Sequence, residues 1–292
     1  MLQRVAIFSK DNNERTRNGV QSLVTELCSR GIHVQLHQSS EEPLSPCEND
    51  NIERFSDFRT LSDMPELVFS VGGDGTFLET VLKVKDLGIP VAGVNTGRMG
   101  FLANIPGEEI DKSVDQLCRN DYEIVERSML EILKPEYLFE GEHGVALNEI
   151  TIQKANLSMI TIHVYVNEVF LNTYWADGLV ISTATGSTAY NLSVGGPILS
   201  PSDESIIISP ISPHNLTIRP IVLSGGSRLR MVMEGRTQEC LITCDFRFRK
   251  LSIDQEIRIS GWGRKMKTVM LNGRDFYSTL RNRLMWGADK RN

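Results

Sequence analysis

LVFSVGGDGTFLETVLKVKDLGIPVAGVN, residues 67–95, decides the fold. Its first five residues are a short apolar run of the kind a buried strand requires, and Gly72 and Gly73 end it. From Thr76 to Leu87 the pattern is helical, and Gly88 stands where a glycine commonly closes a helix. IPVAGVN (89–95) reads as the next strand. Strand, glycine turn, helix and strand together make one unit of a parallel sheet. The rhythm extends outward on both sides. RVAIF (4–8) is a short buried strand, an amphipathic helix follows from about Glu14 to Arg30 with Gly31 at its end, and IHVQLH (32–37) is a strand. A polar, proline-punctuated loop covers roughly 38–50, and a further helix about 107–119. Residues 1–121 are therefore predicted to form an α/β domain on a doubly wound parallel sheet.

Near Tyr122 the rhythm changes. Short strands dominate from there to about Leu271: SMLEILK, GVALNEITIQK, MITIHVYV, LVIST, SIIISP, RLRMVM, ECLITC, EIRIS and KTVML. MITIHVYVNEVFLNTY reads as a hairpin turning at Asn167 and Glu168. Many short strands parted by turn residues predict a β-rich, sandwich-like domain over 122–272. The tail 273–292 carries RDFYSTLRNRLMW (274–286), a helical pattern expected to pack back on the first domain.

The bulk properties narrow the function. The chain has 292 residues, 40% hydrophobic and 23% charged, enough for two domains with real cores. No apolar run approaches the roughly 20 residues that span a bilayer, and the start is too soon acidic for a signal peptide. The net charge is −6 and no basic stretch mixes with aromatics, which argues against a nucleic-acid or membrane surface. The five cysteines, Cys28, Cys47, Cys118, Cys240 and Cys244, form an odd set without a C-x-x-C pair. Free thiols in a cytoplasmic setting explain them, and no side chains stand out as a metal site. Cys240 and Cys244 fall on one face of a strand. An acidic protein that binds anions needs metal ions or the backbone N–H groups at a helix start.

VGGDGTFL (71–78) supplies such a place. Glycines let backbone approach a phosphate, and the helix start offers N–H donors, which makes Gly72, Gly73 and Thr76 candidates for holding a phosphoryl donor. Asp74 does not suit a phosphate; it suits a general base for a hydroxyl, a partner of Mg²⁺, or a mere helix cap. G-x-x-x-x-G-K-[ST] is absent, and G-x-G-x-x-G fails at Leu78. DGLVISTATGSTAYNLSVGGP (177–197) offers many small hydrogen-bonding groups, as a nucleotide requires, although plain turns use the same residues. It contains neither histidine nor G-x-S-x-G, which excludes a nucleophile elbow. NTGRMGFL (95–102) follows a strand end and can form a second wall of the same crevice. Asn148 and Glu149 interrupt GVALNEITI, as a clamp for a ribose diol or as a solvent-facing hairpin element. Asp245 in ITCDFRF is a turn carboxylate or a ligand contact. His33, His37, His143, His163 and His214 are scattered and read as non-catalytic.

Taken in order and spacing, GGDGTFL (72–78), NTGRMGFL (95–102), LNE (147–149) and DGLVISTATGSTAYNLSVGGPI (177–198) resemble the NAD kinase family, over nearly the whole chain from Val5 to about Trp286. GGDG alone is shared with lipid kinases and phosphofructokinases; the long second stretch is the specific part. The resemblance implies transfer of a phosphoryl group from ATP, with Mg²⁺, to the 2′-hydroxyl of the adenosine ribose of NAD. It implies Asp74 as the general base with Gly75 beside it, and Asn148 and Glu149 on the adenosine side. Thr188, Ala189 and Tyr190 would line the adenine pocket, completed by Asn191, Leu192 and Ser193. Asp177 would contact NAD, often across a subunit interface, in a homodimer or homotetramer, and Asp245 and Arg247 would belong to the last binding strand. One departure matters: where family members place an arginine or a glycine just before the Asp-Gly step, this chain has Trp175 and Ala176, which leaves the donor range, ATP or polyphosphate, open. Also open are NAD against NADH, oligomer size and regulation by the product. A lipid or sugar kinase on the same glycine turn and a catalytically silent NAD sensor are the competing readings.

Overall fold

The computed structural model describes residues 2–10, 13–40, 52–97, 100–139, 142–236 and 238–287. Most of the loop 38–50, Cys47, and Arg98 and Met99 of NTGRMGFL lie outside the described residues. The chain divides into two compact units, Met1–Glu126 with Met266–Asn292, and Arg127–Lys265.

The first unit opens with β1 (Arg4–Phe8), α1 (Glu14–Ser29) and β2 (His33–His37). Helix α1 starts where the Asn13 side chain accepts the Thr16 N–H, and ends before Gly31, whose φ of 72° is the left-handed conformation that stops a helix. Then come β3 (Ile52–Phe55), β4 (Leu67–Gly72), α2 (Asp74–Val84), β5 (Val91–Asn95), the two-residue β6 (Ile105–Pro106), α3 (Ile110–Cys118) and β7 (Tyr122–Arg127). Strand β3 was not foreseen. IERF alternates apolar and charged residues on a half-exposed edge, so it lacks the continuous apolar run that betrays a buried strand. Strand β1 pairs in parallel with β2 on one side and β4 on the other. The chain thus winds outward in one direction, returns, and winds outward in the other. Such a reversal opens a crevice at the carboxyl ends of the two strands involved.

The second unit is a β-sandwich. Its elements are β8 (Leu130–Lys134), β9 (Gly144–Ala146), β10 (Glu149–Lys154), β11 (Ile160–Val166), β12 (Val169–Ala176), β13 (Gly178–Ser182), α4 (Tyr190–Ser193), β14 (Ile206–Ile211), β15 (Ile221–Leu223), β16 (Leu229–Gly235), β17 (Glu239–Cys244), β18 (Arg247–Ser252) and β19 (Ile257–Gly261). One sheet runs β15-β14-β13-β10-β17-β18 and the other β12-β11-β16-β19-β8-β9. Alternate residues of both sheets fill one core: Ile150, Ile152, Ile181, Ile208 and Ile242 meet Ile132, Ile162, Val164, Met231 and Ile259. Cys240 and Cys244 lie on that inner face as expected. The hairpin β11–β12 turns at Asn167 and Glu168, with φ of 50° and 66°, the positive pair a two-residue turn needs.

The chain then returns to the first unit through β20 (Met266–Leu271) and α5 (Phe276–Leu284). Strand β20 pairs in parallel with β5, completing the order β3-β2-β1-β4-β5-β20-β7, with β6 beside β5. The expected boundaries at 121/122 and 272/273 therefore move to 126/127 and 265/266. KTVML has the pattern of any inward-facing strand, and only its pairing partner reveals which sheet owns it. Helix α5 is capped by Asp275, which accepts the Ser278 N–H at 2.8 Å, and it buries Leu280. Arg274 ties the tail down through the Asn104 carbonyl at 3.2 Å and the Glu109 carboxylate.

Candidate active site

The glycine turn between β4 and α2 is built for close approach. Gly72 has φ of 153°, and a Cβ there would lie 2.4 Å from the Thr76 hydroxyl oxygen. Gly73 takes the position before the helix without any side-chain cap, and Asp74 is the first helical residue. Asp74 does not cap its own helix. Its carboxylate turns to the neighbouring loop, where Oδ2 accepts the Phe101 N–H at 2.9 Å and Oδ1 accepts those of Leu102 and Ala103 at 3.1 and 3.0 Å. Oδ2 takes a single donor from these three and keeps a lone pair for a further proton. Gly100 is the residue that makes room, since a Cβ on it would sit 1.8 Å from Asp74 Oδ1.

Beside this turn lies a cavity of about 470 Å³, lined by Asn13, Glu14, Arg15 and Thr16 at the start of α1, by Gly72 and Gly73, and by Asn95, Thr96 and Gly97. It occupies the crevice where β1 and β4 part, the place at which open α/β sheets bind ligands. Two helices begin here, and the first N–H groups of a helix have no partner within it. Thr16 and Thr96 join their hydroxyls at 3.2 Å, and Asn95 accepts the Gly97 N–H at 2.7 Å. Of the expected second wall, 95–102, Asn95, Thr96 and Gly97 line the cavity, while Phe101 and Leu102 donate their N–H groups to Asp74. Thr76 is not part of the lining; it is buried, with its side chain packed beneath Gly72. The residues of α1 were missed by the reading of the sequence, although their position just after the central strand was the available signal.

In the second unit, Asn148 and Glu149 stand where the chain leaves β9 in one sheet and enters β10 in the other. Both are buried. Asp245 serves their backbone: Oδ2 accepts the Leu147 N–H at 2.8 Å, and Oδ1 those of Asn148 and Glu149 at 2.8 and 3.2 Å. Arg247 donates to the Val145 carbonyl at 2.7 Å and stacks 4.6 Å over the Phe139 ring. On the other flank, Thr183 donates its N–H to the Asn148 carbonyl at 2.9 Å and its hydroxyl to the Leu147 carbonyl at 2.6 Å. Gly186 presses so close that a Cβ would stand 2.1 Å from the Asn148 carbonyl oxygen. The Glu149 carboxylate accepts the Tyr190 N–H, while its Oε2 is buried without a partner. Burial first, then the nearby Asp245 carboxylate, pushes the Glu149 pKa up to about 8. Burial also raises Asp245, to about 6, against the lowering effect of its three N–H donors.

Of the loop after β13, Thr188, Ala189, Tyr190 and Leu192 are half-buried and Ser193 is exposed. Asn191 corrects the expectation of a ligand contact. It is fully buried, donates to the Ser187 and Pro197 carbonyls at 3.3 and 3.0 Å, and accepts the Ser209 hydroxyl at 2.6 Å. All its side-chain atoms brace the loop. Asp177 forms an ion pair with Lys154 at 2.6 Å. It precedes β13, whose far end, Ser182, is the residue registered with Glu149, so roughly 16 Å of strand separates the two. Trp175 is half-exposed on the edge strand β12. His37 is packed among Phe8, Phe55 and Phe58 and bonded to Ser39 and the Ser56 carbonyl, a structural role. Among the described residues, no group of three or more His, Cys, Asp or Glu side chains is arranged to hold a metal ion.

A doubly wound sheet with a glycine turn at its crevice, a fixed carboxylate there, and a sandwich carrying a loop of small polar groups define a nucleotide-dependent phosphotransferase. Sequence comparison gives the particular family. The model of the ATP-NAD kinase N-terminal domain matches residues 5–122 and that of the C-terminal domain matches 147–270. The NAD kinase of Cytophaga hutchinsonii is 41% identical over 276 residues, 94% of each chain, and that of Flavobacterium johnsoniae is 41% identical over 293 residues, 99% of this chain and 100% of the other. Yeast NADH kinase in its complex with NADH superposes with a TM-score of 0.86 at 25% identity, covering 99% of this chain and 89% of that one. An NAD kinase from Archaeoglobus fulgidus in complex with ATP shares the fold, with a TM-score of 0.74 at 24% identity, over 97% of this chain and 99% of that one. The chain belongs to the NAD kinase family.

Proposed function

We propose that this chain phosphorylates the 2′-hydroxyl of the adenosine ribose of NAD with ATP, and that Asp74 is the general base. The observation that carries this is the Asp74 carboxylate, held off its own helix by three backbone N–H groups with a lone pair left on Oδ2. In the reaction the hydroxyl proton passes to Oδ2 and the ribose oxygen forms its bond to phosphorus. The bond from that phosphorus to its bridging oxygen breaks, and ADP leaves. Gly72, Gly73 and the first N–H groups of α2 suit the donor phosphates. Asn148 and Glu149 hold the adenosine end, with Thr188, Ala189, Tyr190, Leu192 and Ser193 around the base, and Gly75 lies beside Asp74. The donor chemistry fits a Mg²⁺ carried mainly by the phosphates, since Asp74 and Glu14 are the carboxylates at the glycine turn and its cavity. Bound there, the ion would neutralise charge on the transferring group.

A cytoplasmic setting suits the cysteines, of which Cys28, Cys118, Cys240 and Cys244, the described ones, are thiols and not disulfides. A homodimer or homotetramer fits the resemblance, in which Asp177, a strand's length from Glu149 in its own chain, contacts NAD across a subunit interface. The test is NADP formation by the pure protein with Mg²⁺, offering NAD or NADH as acceptor and ATP or polyphosphate as donor. NADP from NAD and ATP is the expected result. Phosphorylation of diacylglycerol or fructose 6-phosphate instead, or no product at any enzyme level, contradicts the proposal. The polyphosphate arm reads out what Trp175 permits.

A further inference from the structure

We infer that Asp245 is a positioning residue, which sets Asn148 and Glu149 in place by holding the backbone that carries them and does not itself touch the dinucleotide. This rests on the proposed NAD site and assigns a different task to a residue that the family resemblance placed among the ligand contacts. The physical need for it comes from the topology. Between β9 and β10 the chain passes from one sheet of the sandwich to the other, and Leu147 and Asn148 belong to neither strand. Their N–H groups are buried and must find acceptors outside the sheet ladders.

Asp245 is placed to provide them. It lies in the two-residue connection of the hairpin β17–β18, where Cys244 registers with Arg247, and it takes φ of 51° there, a conformation aspartate tolerates. Strand β17 is registered on β10 at Cys244 and Ile150, which brings the turn alongside the break. The fit is reciprocal: Asp245 donates its N–H to the Glu149 carbonyl at 3.0 Å and accepts the Glu149 N–H in return. Arg247, the first residue of β18, holds the Val145 carbonyl, so residues 145–149 are gripped at both ends. Thr183 and Gly186 close the opposite flank. The result is that Glu149 keeps Oε2 free of protein partners while everything around it is fixed. A second carboxylate beside Glu149 adds repulsion to any role as a ligand contact; as a backbone acceptor it has a defined use.

Asp74 has the same three-donor arrangement, and the surroundings separate the two. Asp74 abuts the open cavity through Gly73, whereas Asp245 Oδ2 is set against fully buried Leu147. The two carboxylates are therefore assigned different work: one at the reaction, one behind the substrate-binding pair.

Positioning and direct contact differ in how losses combine, and NAD dissociation constants for the full-length wild type, D245N, E149Q and the double variant distinguish them. If Asp245 acts through Glu149 and Asn148, D245N and E149Q each weaken NAD binding by about tenfold to a hundredfold, and the double variant is within about threefold of the weaker single one. In steady state D245N raises KM for NAD more than it lowers kcat. Losses that multiply, or a D245N enzyme that binds NAD as tightly as wild type, overturn the inference. Should D245N fail to fold, R247K loosens the same grip from its other end. Its loss must also fail to multiply with that of E149Q, and multiplication there overturns the inference equally. A wild type that binds no NAD at all overturns the proposed site beneath it, a distinct outcome read from the first titration.

Discussion

Glu149 shows how much a single group can decide. Its pKa is raised from an ordinary 4.5 to about 8, so the folded protein binds that proton more tightly than the unfolded chain does. The stability it contributes is complete below about pH 4.5 and is lost as pH rises toward 8. The free enzyme is therefore expected to melt at a lower temperature at pH 8.5 than at pH 6, and E149Q, which cannot ionise, to narrow that gap. An unchanged gap in melting curves at the two pH values counts against a buried, proton-holding Glu149. Gly100 makes the second case. A methyl group there would enter the space of Asp74 Oδ1, so G100A is expected to displace the carboxylate and lower turnover by about 100-fold or more if Asp74 is the base. Overpacking should cost about 1–3 kcal/mol of stability at the same time. Denaturation and activity measured together separate the two effects, and normal turnover in a folded G100A would show that the position of Asp74 does not matter.

Elements differ in how plainly the sequence announces them. RVAIF, LVFSV and VAGVN are buried on both faces, and their uninterrupted apolar runs leave no other reading. The edge strands β3 and β7 are half polar and were lost among loop residues, because nothing pays for apolar side chains on a solvated edge. Strand β20 was visible but assigned to the wrong sheet, since alternation records which face is buried and carries no record of the neighbour. The site divides in the same way. The glycine turn and the break at Asn148 were legible as departures from strand and helix patterns. The bracing roles of Asn191 and Asp245 were not, because both depend on backbone groups 4 to 98 residues away. One consequence belongs to the packing of the loop after β13 onto that break. G186A would set a carbon 2.1 Å from the Asn148 carbonyl, so it should push the loop off residues 147–149. The expected outcome is about a tenfold or greater loss in NAD affinity with a lowered melting temperature, checked by titration and thermal scan. Retained affinity would mean that the loop does not set the pocket.

At the scale of the molecule, a chain of net charge −6 handles two anionic substrates without a basic run in its sequence. Each unit contributes a specialised answer: helix starts and glycines in the first, fixed polar backbone and a bracing hairpin in the second. The two domain models of the family match residues 5–122 and 147–270, and the chain spans 100% of the Flavobacterium johnsoniae relative. In the proposed reading Asp74 does the chemistry and Asn148 and Glu149 provide the affinity for NAD, so the two should separate under mutation. Asp74→Asn keeps the shape of the carboxylate and removes its basicity. The most direct measurement is single-turnover formation of NADP by this variant at saturating NAD, ATP and Mg²⁺, alongside its NAD dissociation constant. A fall of about 10²–10⁴-fold in the rate of the chemical step, with NAD bound within a few-fold of wild type, is the predicted result. A variant that turns over at close to the wild-type rate contradicts the assignment of Asp74 as the base.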